Sequence, residues 1–206
     1  MEKNRLLLIF TRNPILGKCK TRLARTVGNN AALQIYMLLL RQTVKATKGL
    51  SVDKMVCYSD QLVAHDLWDS GIYDKEVQQG GTLGERMEHA FRKGFADGYK
   101  EIIIIGSDLY DLRQADLEKA FELLDNNDFV IGPAADGGYY LLGMKNLDPQ
   151  IFSNKDWGGN SVLHDTLADL KNRKLAFLPA KNDVDVYEDL LDIPAFHRFT
   201  KHIKND

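Results

Sequence analysis

The chain has little cysteine: Cys19 and Cys57 are the only two in 206 residues. Neither sits in a CxxC pair or near a histidine cluster, which argues against a structural zinc site and a disulfide scaffold and fits a reducing compartment. Long apolar runs are missing as well. Met1 to Arg5 is polar, and the run after it, Leu6 to Phe10, is far too short for a signal peptide or a membrane span. A cytoplasmic enzyme is the expectation. An excess of one charge is also lacking. The formal net charge is −2, without the basic field of a nucleic-acid binder. Repeats, linkers and low-complexity tracts are absent. No G-x-S-x-G elbow supports a serine hydrolase. The five histidines are scattered, and His164 next to Asp165 falls on a predicted helix, where neighbours point apart.

The hydrophobic content of 44% and charged content of 27% are those of a soluble globular protein, and the length suits one well-cored domain over 1–206. Leu6 to Phe10, Lys54 to Ser59, a weaker Lys75 to Gln78, the isoleucines 102–105, FVIGPA, GGYYLLGM and KLAFLPA read as strands. Between them lie helical spacings: Leu33, Met37, Leu40 and Val44, capped by Asn29 or Asn30 and ending at Gly49; a short Leu62 to Trp68; Leu83, Met87, Phe91 and Phe95 after Thr82. Leu117, Phe121 and Leu124 follow, then Leu163, Leu167 and Leu170, and a closing Val186 to Leu191. This alternation predicts an α/β domain with a mostly parallel sheet, helices on both faces and an antiparallel element around 134–144. Ligands in such sheets bind at the carboxyl ends of the strands.

That rule selects the candidates. The loop after the first strand, RNPILGKCKTRLA, carries Arg12, Gly17, Lys18, Lys20 and Arg22, cations suited to phosphate around a glycine that permits close approach. It is not a P-loop, because the first glycine is missing and Cys19 holds the Ser/Thr place. A solvated basic turn is the plain alternative. QQGGTLGERM offers Gln79 to a nucleobase edge, or is simply a turn in which Thr82 and Glu85 form a capping box. Asp108 directly follows the isoleucine strand, where a carboxylate suits a divalent ion shared with phosphates; Asp111 would fill the ordinary N-cap or turn role. AADGGYYLLG reads as a hairpin, or as a place where glycines make room for a sugar beside Asp136. DVDVYEDL adds acidic residues, of which Glu188 and Asp189 fit a helix's first turn.

Taken in order, PILGKCKTRLA, QQGGTLGERM, IGSD.YDL, GPAADGGYYLLG, W…VL..TL and DVDVYEDL resemble a small bacterial family of nucleotide-diphospho-sugar transferases, glycosyltransferases related to the phospholactate guanylyltransferase. The resemblance implies a single Rossmann-like domain of the glycosyltransferase-A fold, using a nucleotide-activated donor and Mg²⁺ or Mn²⁺. It puts Phe10, Arg12, Lys20 and Arg22 at the nucleotide and its phosphates, with Lys20 and Arg22 as charge stabilisers in catalysis. Gln79, Gly80 and Gly81 would sit by base or ribose, and Asp108 would hold the metal. VDVYEDL is similar to the VDTPEDL ending of sugar-acid cytidylyltransferases, which makes Asp185 the second metal carboxylate. Asp136, Gly137, Gly138, Tyr139 and Trp157 would face the sugar or acceptor, with Asp136 as general base. The chain departs from the family pattern at Tyr110 (proline), Gly158 and Gly159 (Ser-Thr) and Val186 (threonine), near the expected acceptor.

Three functions follow: glycosyl transfer from a nucleoside diphosphate sugar, nucleotidyl transfer from a nucleoside triphosphate to a phosphorylated acceptor, or nucleotide binding without catalysis. Each implies a small-molecule partner and neither nucleic acid nor a membrane span. Base, sugar, acceptor and oligomeric state stay open.

Overall fold

The computed structural model describes residues 4–200, so the outermost positions of the expected 1–206 domain, including the first three of its polar leading segment, lie outside them. Seven strands form one sheet: β1 (Arg5–Thr11), β2 (Asp53–Tyr58), β3 (Asp74–Val77), β4 (Glu101–Ile105), β5 (Phe129–Pro133), β6 (Tyr139–Met144) and β7 (Leu175–Phe177). Their order is β3-β2-β1-β4-β6-β5-β7. Only β6 runs against the others, pairing antiparallel with β4 and β5. The sequence expected this antiparallel insertion, and it places the β5–β6 turn on the edge where the parallel strands end.

The isoleucines of β4 occupy the middle of the sheet because they have no polar face to offer water. Ile103 and Ile105 pack with Leu7, Ile9 and Val56 against α2 (Asn29–Thr47) and α4 (Gln114–Leu124). Ile102 and Ile104 face the other way, with Leu6 and Leu8, against Met87 and Phe91 of α3 (Leu83–Ala96). All four isoleucines are buried, and truncating one to alanine typically costs about 2–5 kcal/mol. α3 starts as its sequence predicts. The Glu85 N–H donates to the Thr82 hydroxyl, and the Glu85 carboxylate accepts the Thr82 N–H at 3.2 Å.

Several local expectations give way. Neither Asn29 nor Asn30 caps a helix. A seven-residue α1 (Thr21–Val27) precedes α2, and Gly28 at φ 83° separates the two. Leu62 to Trp68 forms no helix, because the Asp66 carboxylate accepts the Trp68 N–H at 2.9 Å and the Trp68 ring packs edge-on to Tyr73. Asp111 does not cap α4; Asp116 accepts the Arg113 N–H there, and Asp111 pairs with Lys181 instead. The closing helix shrinks to a 3-10 turn, Glu188–Leu190, since Asp189 folds back to accept the N–H groups of Asp185 and Val186, both at 2.8 Å. α5 (Val162–Asp169) is as expected.

Candidate functional site

A cavity of about 550 Å³ opens at the edge where the parallel strands end, which is where the switch between parallel and antiparallel pairing lies. Strand order sorts what lines it. After β3, β2 and β1 come Gln78, Ser59 and Arg12, with Arg86 from the first turns of α3. After β4 comes Asp108, and beyond it Asp136 from the β5–β6 turn and Asp183 after β7. Guanidinium groups and an amide therefore occupy one half and carboxylates the other.

The basic loop does not simply face the ligand. Lys20 adopts φ 48°, a left-handed backbone that few side chains take, at the residue capping α1. This turns its side chain inward, where it is 7% exposed and lies 3.2 Å from Asp108 and 3.6 Å from Asp185. Burial works to lower the Lys20 pKa, but Asp108 and Asp185 prevail and raise it above its ordinary value. Arg22 pairs with Asp185 at 2.7 Å. Lys20 and Arg22 are thus neutralised by carboxylates, and neither lines the cavity.

Beneath the cavity a buried hydroxyl joins two strand ends. The Tyr36 hydroxyl accepts the Arg12 N–H at 2.9 Å and lies 3.1 Å from Thr11 Oγ1 and 3.2 Å from Ser107 Oγ. It fixes the chain on either side of the crevice, next to Arg12 and next to Asp108.

Asp183 is the carboxylate that sequence reasoning missed. Burial, then the neighbouring charges of Asp108 and Asp136, push its pKa up to about 6. Asp185, two residues on, is turned away into the Lys20–Arg22 cluster by the Asp189 hydrogen bonds. Arg86 and Gln78 were missed too. Arg86 Nε donates to the Gly80 carbonyl at 3.0 Å, and its Nη1 lies 3.4 Å from the Gln78 side-chain oxygen. Gln79, Gly80 and Gly81 do not line the cavity: Gln79 is exposed, and Gly81 donates to Glu85 in the α3 cap.

Phe10, Arg12, Asp108, Asp136, Gly138, Tyr139 and Trp157 all line the cavity. Asp136 keeps one oxygen on the Gly138 N–H at 2.9 Å. The Tyr139 hydroxyl is buried away from the space, its pKa raised by burial. Gly137 instead holds the turn against the next loop. Its φ is 92°, and a Cβ there would come 2.2 Å from the Asn160 carbonyl oxygen. Of the departures, Gly158 and Gly159 do line the cavity, whereas Tyr110 packs edge-on against Phe196, ring centroids 4.9 Å apart. The expectation that Tyr110 stands at the acceptor is corrected, and Val186, which does not line the cavity, donates its N–H to Asp189 at 2.8 Å.

His164 and Asp165, expected to point apart, meet at 3.1 Å on the surface of α5, and Ser161 donates to Asp165 at 2.8 Å. The serine does not reach the imidazole, so no hydrolytic triad results. Among the described residues, no group of three or more His, Cys, Asp or Glu side chains is arranged to hold a metal ion, and no helix is long and apolar enough to cross a membrane.

Comparison with known proteins identifies relatives of the chain and of its fold. A family described as "Uncharacterized protein conserved in bacteria (DUF2064)" matches residues 42–159. A crystal structure from Desulfovibrio desulfuricans G20, provisionally described as a nucleotide-diphospho-sugar transferase, is 30% identical with TM-score 0.86 and covers 98% of this chain and 97% of its own. The 2-phospho-L-lactate guanylyltransferase of Methanocaldococcus jannaschii is 24% identical over 198 residues, 92% of this chain and 82% of that protein. A 4-diphosphocytidyl-2C-methyl-D-erythritol synthase from Anaerococcus prevotii shares the fold at 10% identity, TM-score 0.59, covering 96% of this chain and 100% of its own.

Proposed function

The chain belongs to this DUF2064 family of bacterial proteins, and we propose that it is an enzyme transferring a group from a nucleotide-activated donor, specifically a glycosyl group from a nucleoside diphosphate sugar. The sorting of charge along the cavity carries the reading: Arg12 and Arg86 on one side of Asp108, Asp136 and Asp183 on the other. A diphosphate needs cations, and guanidinium groups meet phosphate oxygens two at a time. A hydroxyl nucleophile needs an acceptor for its proton. Arg12 and Arg86 then take the phosphates, and Ser59 and Gln78 reach ribose or base. Lys20 and Arg22 support this from behind by fixing Asp108 and Asp185.

Asp136 has one carboxylate oxygen tied to its own turn and the other free, the disposition of a general base. In the proposed step the acceptor oxygen bonds to the anomeric carbon as the anomeric C–O bond to the diphosphate breaks. The electron pair leaves on the nucleoside diphosphate, and the hydroxyl proton passes to Asp136.

The residues fit a divalent ion. Asp183 and Asp108 stand as mutually repelling carboxylates at the cavity wall, and Mg²⁺ commonly uses one or two carboxylates plus substrate phosphates rather than a full protein cage. Asp108 and Asp183 would hold it. The expected pairing of Asp108 with Asp185 is less suitable, because the Lys20 ammonium already lies between them. Bound Mg²⁺ or Mn²⁺ supplies Lewis-acid stabilisation of the leaving diphosphate.

The guanylyltransferase relative favours a second reading, nucleotidyl transfer from a nucleoside triphosphate with release of pyrophosphate. Incubating the protein with nucleotide sugars and, separately, nucleoside triphosphates in the presence of Mn²⁺ distinguishes the two by product chromatography. Nucleoside diphosphate without pyrophosphate is the expected product. Pyrophosphate from a triphosphate supports the second reading, and a nucleotide that binds without turnover leaves a binding protein.

A further inference from the structure

We infer that the half of the cavity beyond Asp108 receives a neutral polyhydroxylated ring, a sugar or cyclitol bearing neither phosphate nor carboxylate. The inference rests on the transferase reading and narrows it.

Among the described residues, no lysine, arginine or histidine lines this half; its wall is Asp136, Tyr139, Trp157, Gly158, Gly159 and Asp183. The cations nearest in sequence are engaged elsewhere. Lys181 pairs with Asp111 and Asp116 at 3.1 and 3.3 Å, and Lys155 pairs with Asp169 at 2.5 Å. Glycine turns often cradle anions with free N–H groups, but here three of the four glycine N–H groups are spent. The N–H of Gly137 donates to Ala134, that of Gly138 to Asp136 and that of Gly159 to Asp156.

An anion entering this half would meet the carboxylates of Asp136 and Asp183 with no cationic side chain in the lining. Carboxylate oxygens accept and do not donate, so the groups they match are hydroxyls. Trp157 adds a broad apolar surface for the C–H face of a ring. It is fixed against the start of α3, where its Nε1 comes within 2.5 Å of the position a Cβ on Gly84 would take. A divalent ion at Asp108 and Asp183 would offset those two charges and leave Asp136 charged.

Tryptophan fluorescence tests this on the full chain, because Trp157 lines the cavity while the second tryptophan, Trp68, is buried against Tyr73. Titration with methyl α-D-glucopyranoside is expected to give a saturable change that Trp157→Phe abolishes. Glucose 6-phosphate and glucuronate are expected to bind at least about tenfold more weakly, and Asp136→Asn to narrow that gap. Glucose 6-phosphate binding as tightly as the glucoside, or no saturable response to any probe at tens of millimolar, overturns the inference. Nucleoside diphosphates are titrated separately by thermal shift. Their failure to bind would sink the transferase reading while the ring preference is still read from the wild-type protein.

Discussion

The Lys20 ammonium lies 3.2 Å from Asp108 and 3.6 Å from Asp185, so one buried cation joins the loops after β1, β4 and β7. Replacing it by methionine leaves Asp108 without its cation and Asp185 with Arg22 alone. Losing one partner of a fully buried pair costs about 3–5 kcal/mol; Asp108 is 38% exposed, so about 1–2 kcal/mol is expected here. Urea denaturation of Lys20→Met measures it, and an unchanged midpoint would deny the ammonium this role.

Tyr36→Phe removes one oxygen from beneath the cavity. Arg12 N–H, Thr11 and Ser107 then lose a common partner, and a buried polar group left unsatisfied costs about 1–3 kcal/mol. Nucleotide affinity should fall together with stability, because Arg12 is positioned through this hydroxyl. Calorimetric titration alongside thermal melts checks both; loss of stability with unaltered affinity would make Tyr36 merely structural.

Asp183 gives the protein a specific pH response. Its folded-state pKa, about 6, is above the ordinary 3.8, so its contribution to stability is complete below about pH 4 and lost as pH rises through 6. Asp183→Asn should therefore match wild type near pH 4 and be more stable at pH 8, by about 1–2 kcal/mol after allowance for solvent screening. Mn²⁺ should raise the wild-type melting temperature at pH 8 more than that of the variant. Parallel stability profiles across this range would contradict the assignment.

Gly137→Ala puts a Cβ 2.2 Å from the Asn160 carbonyl oxygen at a φ of 92°. The β5–β6 turn must then separate from the 157–160 loop, and a loss above about 2 kcal/mol is expected from the clash and backbone strain together. Denaturant titration reads this loss. Near-neutral behaviour would show that the two loops are not locked.

Much of the fold is legible in the sequence, because the residues that specify it act locally. Ile102 to Ile105 have no polar face and become the central strand, and Thr82 with Glu85 writes the start of α3. The 62–68 segment is not legible, since an Asp66 side chain and the ring of Tyr73, just beyond the segment, override its spacing. The site is legible by element and blurred by residue. The motifs lead to loops that border the cavity, but which neighbour faces it depends on torsions that long-range contacts set. Thus Gln78 lines the space rather than Gln79, and Asp183 rather than Asp185, which Asp189 turns towards Lys20. Arg86 belongs to QQGGTLGERM, where helical spacing gives no sign that its side chain turns back to the Gly80 carbonyl. Tyr110, a departure from the family pattern expected near the acceptor, is a packing partner of Phe196.

Binding of an activated nucleotide's phosphates by Arg12 and Arg86 beside Asp108 is the step on which the proposed transfer depends. Its most direct test is calorimetric titration of wild type, Arg12→Ala and Arg86→Ala with a panel of nucleoside diphosphate sugars, supported by melting curves. At 100 times its Kd a ligand stabilises the fold by about 2.7 kcal/mol, an easily measured shift. At least one nucleotide sugar is expected to bind wild type and to lose about tenfold or more in affinity with either substitution. Binding that neither substitution weakens, or no binding by any nucleotide, would contradict it.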